Sequence, residues 1–236
     1  TNDYQFDSKM LNALDITFQL AIAAGYEALK DAGIPLVRSD IKTSTGKILS
    51  GDWALPEDLQ DETGIIFASA FPGYNNFAEE LSFNSDGISG EGDKNFNRAF
   101  LFRVLSMGHS QFAQLIKAKG PNTSTNAACA STPQAIGIAE DWIRIGRCKR
   151  VIVITADNVT SKNLFQWIGA GFLASGAATT KSQWEDAVLP FGEGRNGIII
   201  GAGASAFVIE QESEAKIRGV KPIVEILGSY FANSAY

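Results

Sequence analysis

Apolar residues recur along this chain in two rhythms. Leu11, Leu14, Phe18, Ile22, Tyr26 and Leu29 fall three and four apart, the spacing of one helix face, and Gly33 and Pro35 end that helix. "GIIFASAF" (64–71) is instead a short continuous apolar run, the pattern of a strand buried on both faces. Phe100, Val104, Leu105, Phe112 and Ile116 predict a further helix, closed by Gly120 and Pro121. Thr132 and Pro133 open another, in which Ile136, Ala139, Trp142 and Ile143 continue the pattern and Gly146 caps the end. "RVIVITAD" (150–157) is the strongest strand signal. "GIIIGAGASAFVIE" (197–210) reads as a strand interrupted by glycines, 211–218 as a short charged helix, and "PIVEILGSYF" (222–231) as a last strand. Residues 38–62 and 84–97 are polar and without period, so they read as surface loops, and "GAGFLASGAATT" reads as irregular. Strands and helices alternating over crossover-length connections predict an α/β layered fold. No repeat, low-complexity tract or clear linker divides residues 1–236, which predicts one domain and no second.

Composition narrows the function classes. At 236 residues the chain can bury a substantial core, and 45% apolar with 19% charged residues is a globular, soluble profile. A net charge of -6 argues against nucleic acid or an anionic membrane as partner, and no apolar run is long enough for a membrane span. "TNDYQFDSKM" lacks the features of a signal peptide. Two cysteines do not make a disulfide framework and suggest a reducing, cytoplasmic compartment. With one histidine, they also make a structural zinc site improbable.

Candidate chemistry centres on Cys129, in "NAACASTPQ" at the mouth of a predicted helix. The N–H groups and positive dipole end of a helix start favour a thiolate and can stabilise an oxyanion on an attacked thioester. Small neighbours (Ala127, Ala128, Ala130, Ser131) leave room for a substrate. The competing reading is a small buried core residue, the usual fate of a free cysteine. Cys148, at the seam between a helix end and a strand, reads as structural. The only histidine, His109, falls mid-helix by pattern and reads as structural or surface. A thioester hydrolase would need it as the base for Cys129. Gly201, Gly203 and Ala206 match a dinucleotide fingerprint, but "SAFVIE" continues as strand where that motif needs a helix.

Several segments together resemble the β-ketoacyl synthases, the condensing enzymes of fatty acid and polyketide assembly. "KGPNTSTNAACAST" looks like the nucleophile motif of that family, and "PFGEGRNGIIIGAGASAFVIE" resembles a later family segment. "AKIRGVKPIVEILGSYFANSAY" and "NALDITFQLAIAAGYEALKDAGI" resemble flanking segments in family order. The resemblance implies the first α/β half of a thiolase-like fold, a mixed sheet with helices on both faces, incomplete at 236 residues. It implies that Cys129 accepts an acyl chain from the phosphopantetheine thiol of an acyl carrier protein, with its backbone N–H as an oxyanion donor. Decarboxylation of a malonyl-type extender would then give a β-ketoacyl thioester, with no bound cofactor or metal. "RVIVITAD" would lie at a homodimer seam, and Phe172 in "GAGFLASGA" would border the acyl pocket, the alternative being an ordinary Gly/Ala-rich loop. Two further histidines and a lysine that the family uses belong to its second half, so the remaining half or other synthase domains are expected partners. Gly192 and Asn196 stand where the family usually has acidic residues, and Ala202 replaces a common Glu, which puts its standard loop arrangement in question. A scaffold subunit of the same superfamily without chemistry is the non-enzymatic alternative, and the presence of Cys129 counts against it.

Overall fold

The computed structural model describes residues 8–49, 51, 53–80, 107–233 and 235. A sheet of β1 (Thr63–Ala68), β2 (Asn122–Thr125), β3 (Arg150–Asn158) and β4 (Ala202–Glu210) runs in the order β2-β1-β3-β4. β1 is parallel to β2 and β3, and β4 is antiparallel to β3. Every residue of β1 is buried, as its unbroken apolar run requires of a strand covered on both faces.

The two-residue period of the strands sorts the core into two layers. On one face, Ile65 and Phe67 of β1 and Ile152 and Ile154 of β3 meet two helices, α1 (Ile16–Asp31) and α2 (Gly108–Ile116). Phe18, Ile22, Tyr26 and Leu29 supply the α1 stripe, and Phe112, Leu115 and Ile116 that of α2. On the other face, Ile66, Ala68, Val151 and Val153 meet Ala135 and Ala139 of α3 (Ser131–Arg144). The structure is therefore the mixed sheet with helices on both faces that the sequence implied. α1 begins later than the periodic stripe does. Asp15 caps it by accepting the Thr17 N–H at 2.8 Å, and Leu11 belongs to a separate short helix, Ser8–Ala13.

Three sequence expectations are corrected. The stretch 38–62 is not bare loop: Val37–Arg38 pairs with Trp53–Ala54, Ile41–Lys42 with Ile48–Leu49, and Glu57–Gln60 is helical. "GAGFLASGAATT" is not irregular throughout, because α4 (Lys162–Ala174) carries its first half. Its glycines raise the cost of a helix without preventing one that packs Leu164 and Ile168 inward. "PIVEILGSYF" is not a strand, since no described strand offers it a ladder, and Ile223, Val224, Leu227 and Tyr230 stand exposed. "RVIVITAD" forms β3, hydrogen-bonded to β1 on one side and β4 on the other. The loop expected at 84–97 and helix positions Phe100, Val104 and Leu105 lie outside the described residues. A last short helix, α5 (Glu212–Ile217), follows β4.

Candidate active site

The parallel strands deliver their C-terminal ends to one rim of the sheet, and Cys129 stands on that rim. β2 ends at Thr125, four residues on comes Cys129, and α3 opens at Ser131. So tight a reversal from strand to helix forces Ala128 into the left-handed region, at φ 50°. Two side chains hold it there. Asn126 Oδ1 accepts the Ala128 N–H at 3.0 Å, and Ser131 Oγ donates to the Ala128 carbonyl at 2.6 Å while accepting the Ala127 N–H at 2.9 Å. The Cys129 thiol is exposed as a result. Cys129 is not among the buried residues of the described core.

The neighbouring strand ends brace the turn. Asn126 Nδ2 donates to the Ala70 carbonyl at 3.0 Å, just beyond β1. Asp157, near the end of β3, accepts from Ser69 Oγ at 2.7 Å, the Ala70 N–H at 3.1 Å and the Phe71 N–H at 2.8 Å. Thr132 and Thr155 hydroxyls join α3 to β3 at 3.0 Å, and the Thr125 hydroxyl donates to Gln134. An open cleft of about 350 Å³ adjoins this rim, lined by Thr155, Asp157 and residues 201–205. Phe172 is half-buried with Leu164 and Ile168 of α4, and its ring meets Phe71 edge-on at 6.4 Å between centroids. It thus packs against the same 69–71 loop that takes the Asn126 amide.

Other candidates sort differently. Cys148 is 3% exposed, packed beneath α3, and burial pushes its thiol above the usual range. His109 is not mid-helix. It is the second residue of α2, its Nδ1 is buried without a hydrogen-bond partner among the described residues, and burial holds the imidazole below the ordinary histidine range. Among the described residues no hydrogen bond joins it to Cys129, and α2 and α3 cover opposite faces of the sheet. Gly203 and Ala206 both lie within β4, so no helix opens where a dinucleotide fingerprint needs one. Among the described residues no group of three or more His, Cys, Asp and Glu side chains could hold a metal, and no helix is long and apolar enough to cross a membrane.

The model of a protein family described as "Beta-ketoacyl synthase, N-terminal domain" matches residues 2–215. The chain belongs to that family. The 3-oxoacyl-[acyl-carrier-protein] synthase 2 of Staphylococcus aureus is 30% identical over 231 residues, covering 98% of this chain and 51% of that protein. The Vibrio harveyi protein of the same name is 24% identical over 226 residues, covering 94% and 48%. Among solved structures, a β-ketoacyl synthase from Burkholderia phymatum superposes with a TM-score of 0.68 at 22% identity, covering 92% of this chain and 47% of that one. A type II polyketide synthase acyl-carrier protein in complex with its ketosynthase gives 0.69 at 20% identity, covering 91% and 48%. These likenesses show the fold, and the chain spans about half the length of the relatives it matches.

Membership gives meaning to the departures from the ketosynthase pattern. Asn196 Oδ1 accepts from Thr179 Oγ1 at 2.9 Å, the Thr180 N–H at 2.8 Å and Thr180 Oγ1 at 3.2 Å. A neutral amide thus ties the 178–198 loop at the position where the resemblance implied an acidic residue. Asn126, Ser131 and Asp157 all lie within motifs of the sequence, where Ser131 counts only as a small neighbour of Cys129 and the other two stand without a role. Asn126 carried a usable signal, since an Asn two residues before a strained position is the pattern of an Asx turn. Asp157 carried only its place at the end of an apolar strand.

Proposed function

We propose that Cys129 is the acyl acceptor of a β-ketoacyl synthase active site. The exposed thiol on a strained strand-to-helix turn, inside the motif of the family to which the chain belongs, is the observation that supports this reading. The Cys129 thiolate attacks the thioester carbonyl of an acyl chain held on the phosphopantetheine of an acyl carrier protein. The Cys129 N–H serves as an oxyanion donor, and the phosphopantetheine thiol leaves with a proton. A malonyl-type thioester then loses CO2, its carbanion attacks the acyl-Cys129 carbonyl, and the cysteine thiolate is expelled as the β-ketoacyl thioester forms. Phe172, against the 69–71 loop, borders the acyl chain in this reading. No cofactor is bound, and the substrate arrives on its carrier.

Residues 1–236 act here as the N-terminal portion of a synthase domain in the cytoplasm. A homodimer and the remaining half or other synthase domains are its partners besides the carrier protein. The chain contains one histidine, and the family's condensation uses two with a lysine. The 236 residues alone therefore take up an acyl group and do not condense it. Incubating them with acyl and malonyl carrier proteins and assaying β-ketoacyl thioester by mass tests this. Acyl-enzyme without β-keto product is expected, and robust β-keto product would refute it. The hydrolase reading is not favoured by the position of His109.

A further inference from the structure

The carboxylate of Asp157 makes three hydrogen bonds, all to one short loop, and that loop bonds onward to the end of β2, where the Ser69 N–H donates to the Thr125 carbonyl at 3.3 Å, and to the Asn126 amide in the turn carrying Cys129. Its oxygens accept from Ser69 Oγ, the Ala70 N–H and the Phe71 N–H at 2.7, 3.1 and 2.8 Å. These bonds fix the peptide on which the Ala70 carbonyl sits. That carbonyl accepts Asn126 Nδ2 at 3.0 Å, which orients the Asn126 amide so that its other end, Oδ1, accepts the Ala128 N–H at 3.0 Å. Ala128 is the residue held at φ 50°, an expensive conformation for a side chain with a Cβ. Nothing about its own residue type selects this conformation, so outside bonds must maintain it.

We propose that Asp157 is a positioning residue for the nucleophile, acting through the 69–71 loop and Asn126 to hold the Ala128 backbone and so the direction of the Cys129 thiol and N–H. The inference rests on the reading of Cys129 as acyl acceptor. An aspartate suits the task because one carboxylate accepts several N–H and O–H donors at once, each bond strengthened by its charge. An asparagine there would turn an N–H against the Ala70 N–H and lose that bond. Orientation matters most for attack on a thioester, where the thiolate and the oxyanion donor must both meet one carbonyl, and misplacement on the order of 1 Å can cost about 100-fold. Alkylation by iodoacetamide needs no oxyanion donor and tolerates a wider range of approach.

The test uses the 236-residue chain and its Asp157→Ala, Asp157→Asn and Asn126→Ala variants. Three quantities are read: acyl transfer from an acyl N-acetylcysteamine thioester to Cys129, alkylation of Cys129 by iodoacetamide, and hydrogen exchange of the Ala128 amide by NMR. Asp157→Ala and Asn126→Ala are expected to slow acyl transfer about 10- to 100-fold. Alkylation should stay within about threefold, while Ala128 exchange accelerates about tenfold, as loss of one hydrogen bond implies. Asp157→Asn, which keeps the acceptor for Ser69 and Phe71, falls between and covers the case in which the alanine variant does not fold. Unchanged acyl transfer and exchange in Asp157→Asn and Asn126→Ala would overturn the proposal. So would a parallel loss of both chemistries with thermal stability, the mark of a merely structural role. A wild-type chain that takes no acyl group at Cys129 would instead remove the function proposed above, and the exchange measurement then decides the relay by itself.

Discussion

The buried charges at the far end of the sheet offer a quantitative test of the fold. Arg150 opens β3 with its side chain 1% exposed, and its register partner on β4 is Glu210, 7% exposed. Arg150 Nε donates to Glu210 Oε1 at 2.9 Å, and weaker contacts of 3.4 Å reach Glu214 and Thr63. Arg218 grips the same carboxylate, Nη2 to Oε2 at 2.7 Å, while its Nη1 donates to the Ala32 and Gly33 carbonyls at the end of α1. The two sides of the Arg150–Glu210 pair are therefore unequally insured. Remove Arg150, and Glu210 keeps Arg218 while Glu214 keeps Lys149 at 3.5 Å. Remove Glu210, and a nearly fully buried guanidinium loses its one short carboxylate contact. Leaving a buried charge wholly uncompensated costs about 3–5 kcal/mol, and the surviving Glu214 carboxylate at 3.4 Å keeps Glu210→Met at the low end of that range, about 3 kcal/mol or about 6–12 °C in Tm for a chain of this size. Arg150→Met should lose about 1–2 kcal/mol, because each abandoned acceptor retains a partner. Urea unfolding followed by circular dichroism, with unchanged slope, measures both. Folded variants should keep wild-type thiol reactivity at Cys129, which lies at the opposite end of the strands. Equal losses from the two substitutions, or a larger loss from Arg150→Met, would refute the reasoning.

Three further outcomes are expected. Ala128→Gly should be at least as stable as wild type in urea, since relief of the left-handed strain, about 1 kcal/mol, offsets the added unfolded-state freedom, whereas Ala128→Val should lose about 1–2 kcal/mol. Gly25→Ala should lose about 1–3 kcal/mol despite the better helix propensity of alanine. The added Cβ would lie 2.5 Å from the buried Phe112 ring, and the thermal midpoint reads the loss. Burial depresses the His109 pKa, so the unfolded chain binds that proton more readily. The stability from this group is complete above the unfolded value of about 6.5 and is lost as pH falls through it. His109→Asn should flatten the dependence of Tm on pH between 7.5 and 5, and identical slopes would contradict this.

Periodicity revealed the layers because burial dictates it. The stripe from Leu14 to Leu29 and the two-faced runs 64–68 and 150–154 have one physical solution each, a helix against a sheet covered on both sides. The errors came where context decides. Residues 162–174 are helical against the glycine signal because Leu164 and Ile168 have a core to enter, and 222–231 has strand composition without a described strand to pair with. Cys129 stands out as a candidate because a chemical motif and a helix start coincide in about eight residues. Asp157 does not, since its bonds to the 69–71 loop span more than 80 positions in sequence and exist only once β1 and β3 are in register.

Intact mass and peptide mapping after incubation with an acyl-carrier thioester test the central claim most directly. The account predicts one acyl group per chain, on the exposed Cys129, with Cys148 unmodified and no transfer to Cys129→Ser. An acyl group on Cys148, or none on Cys129, would contradict it.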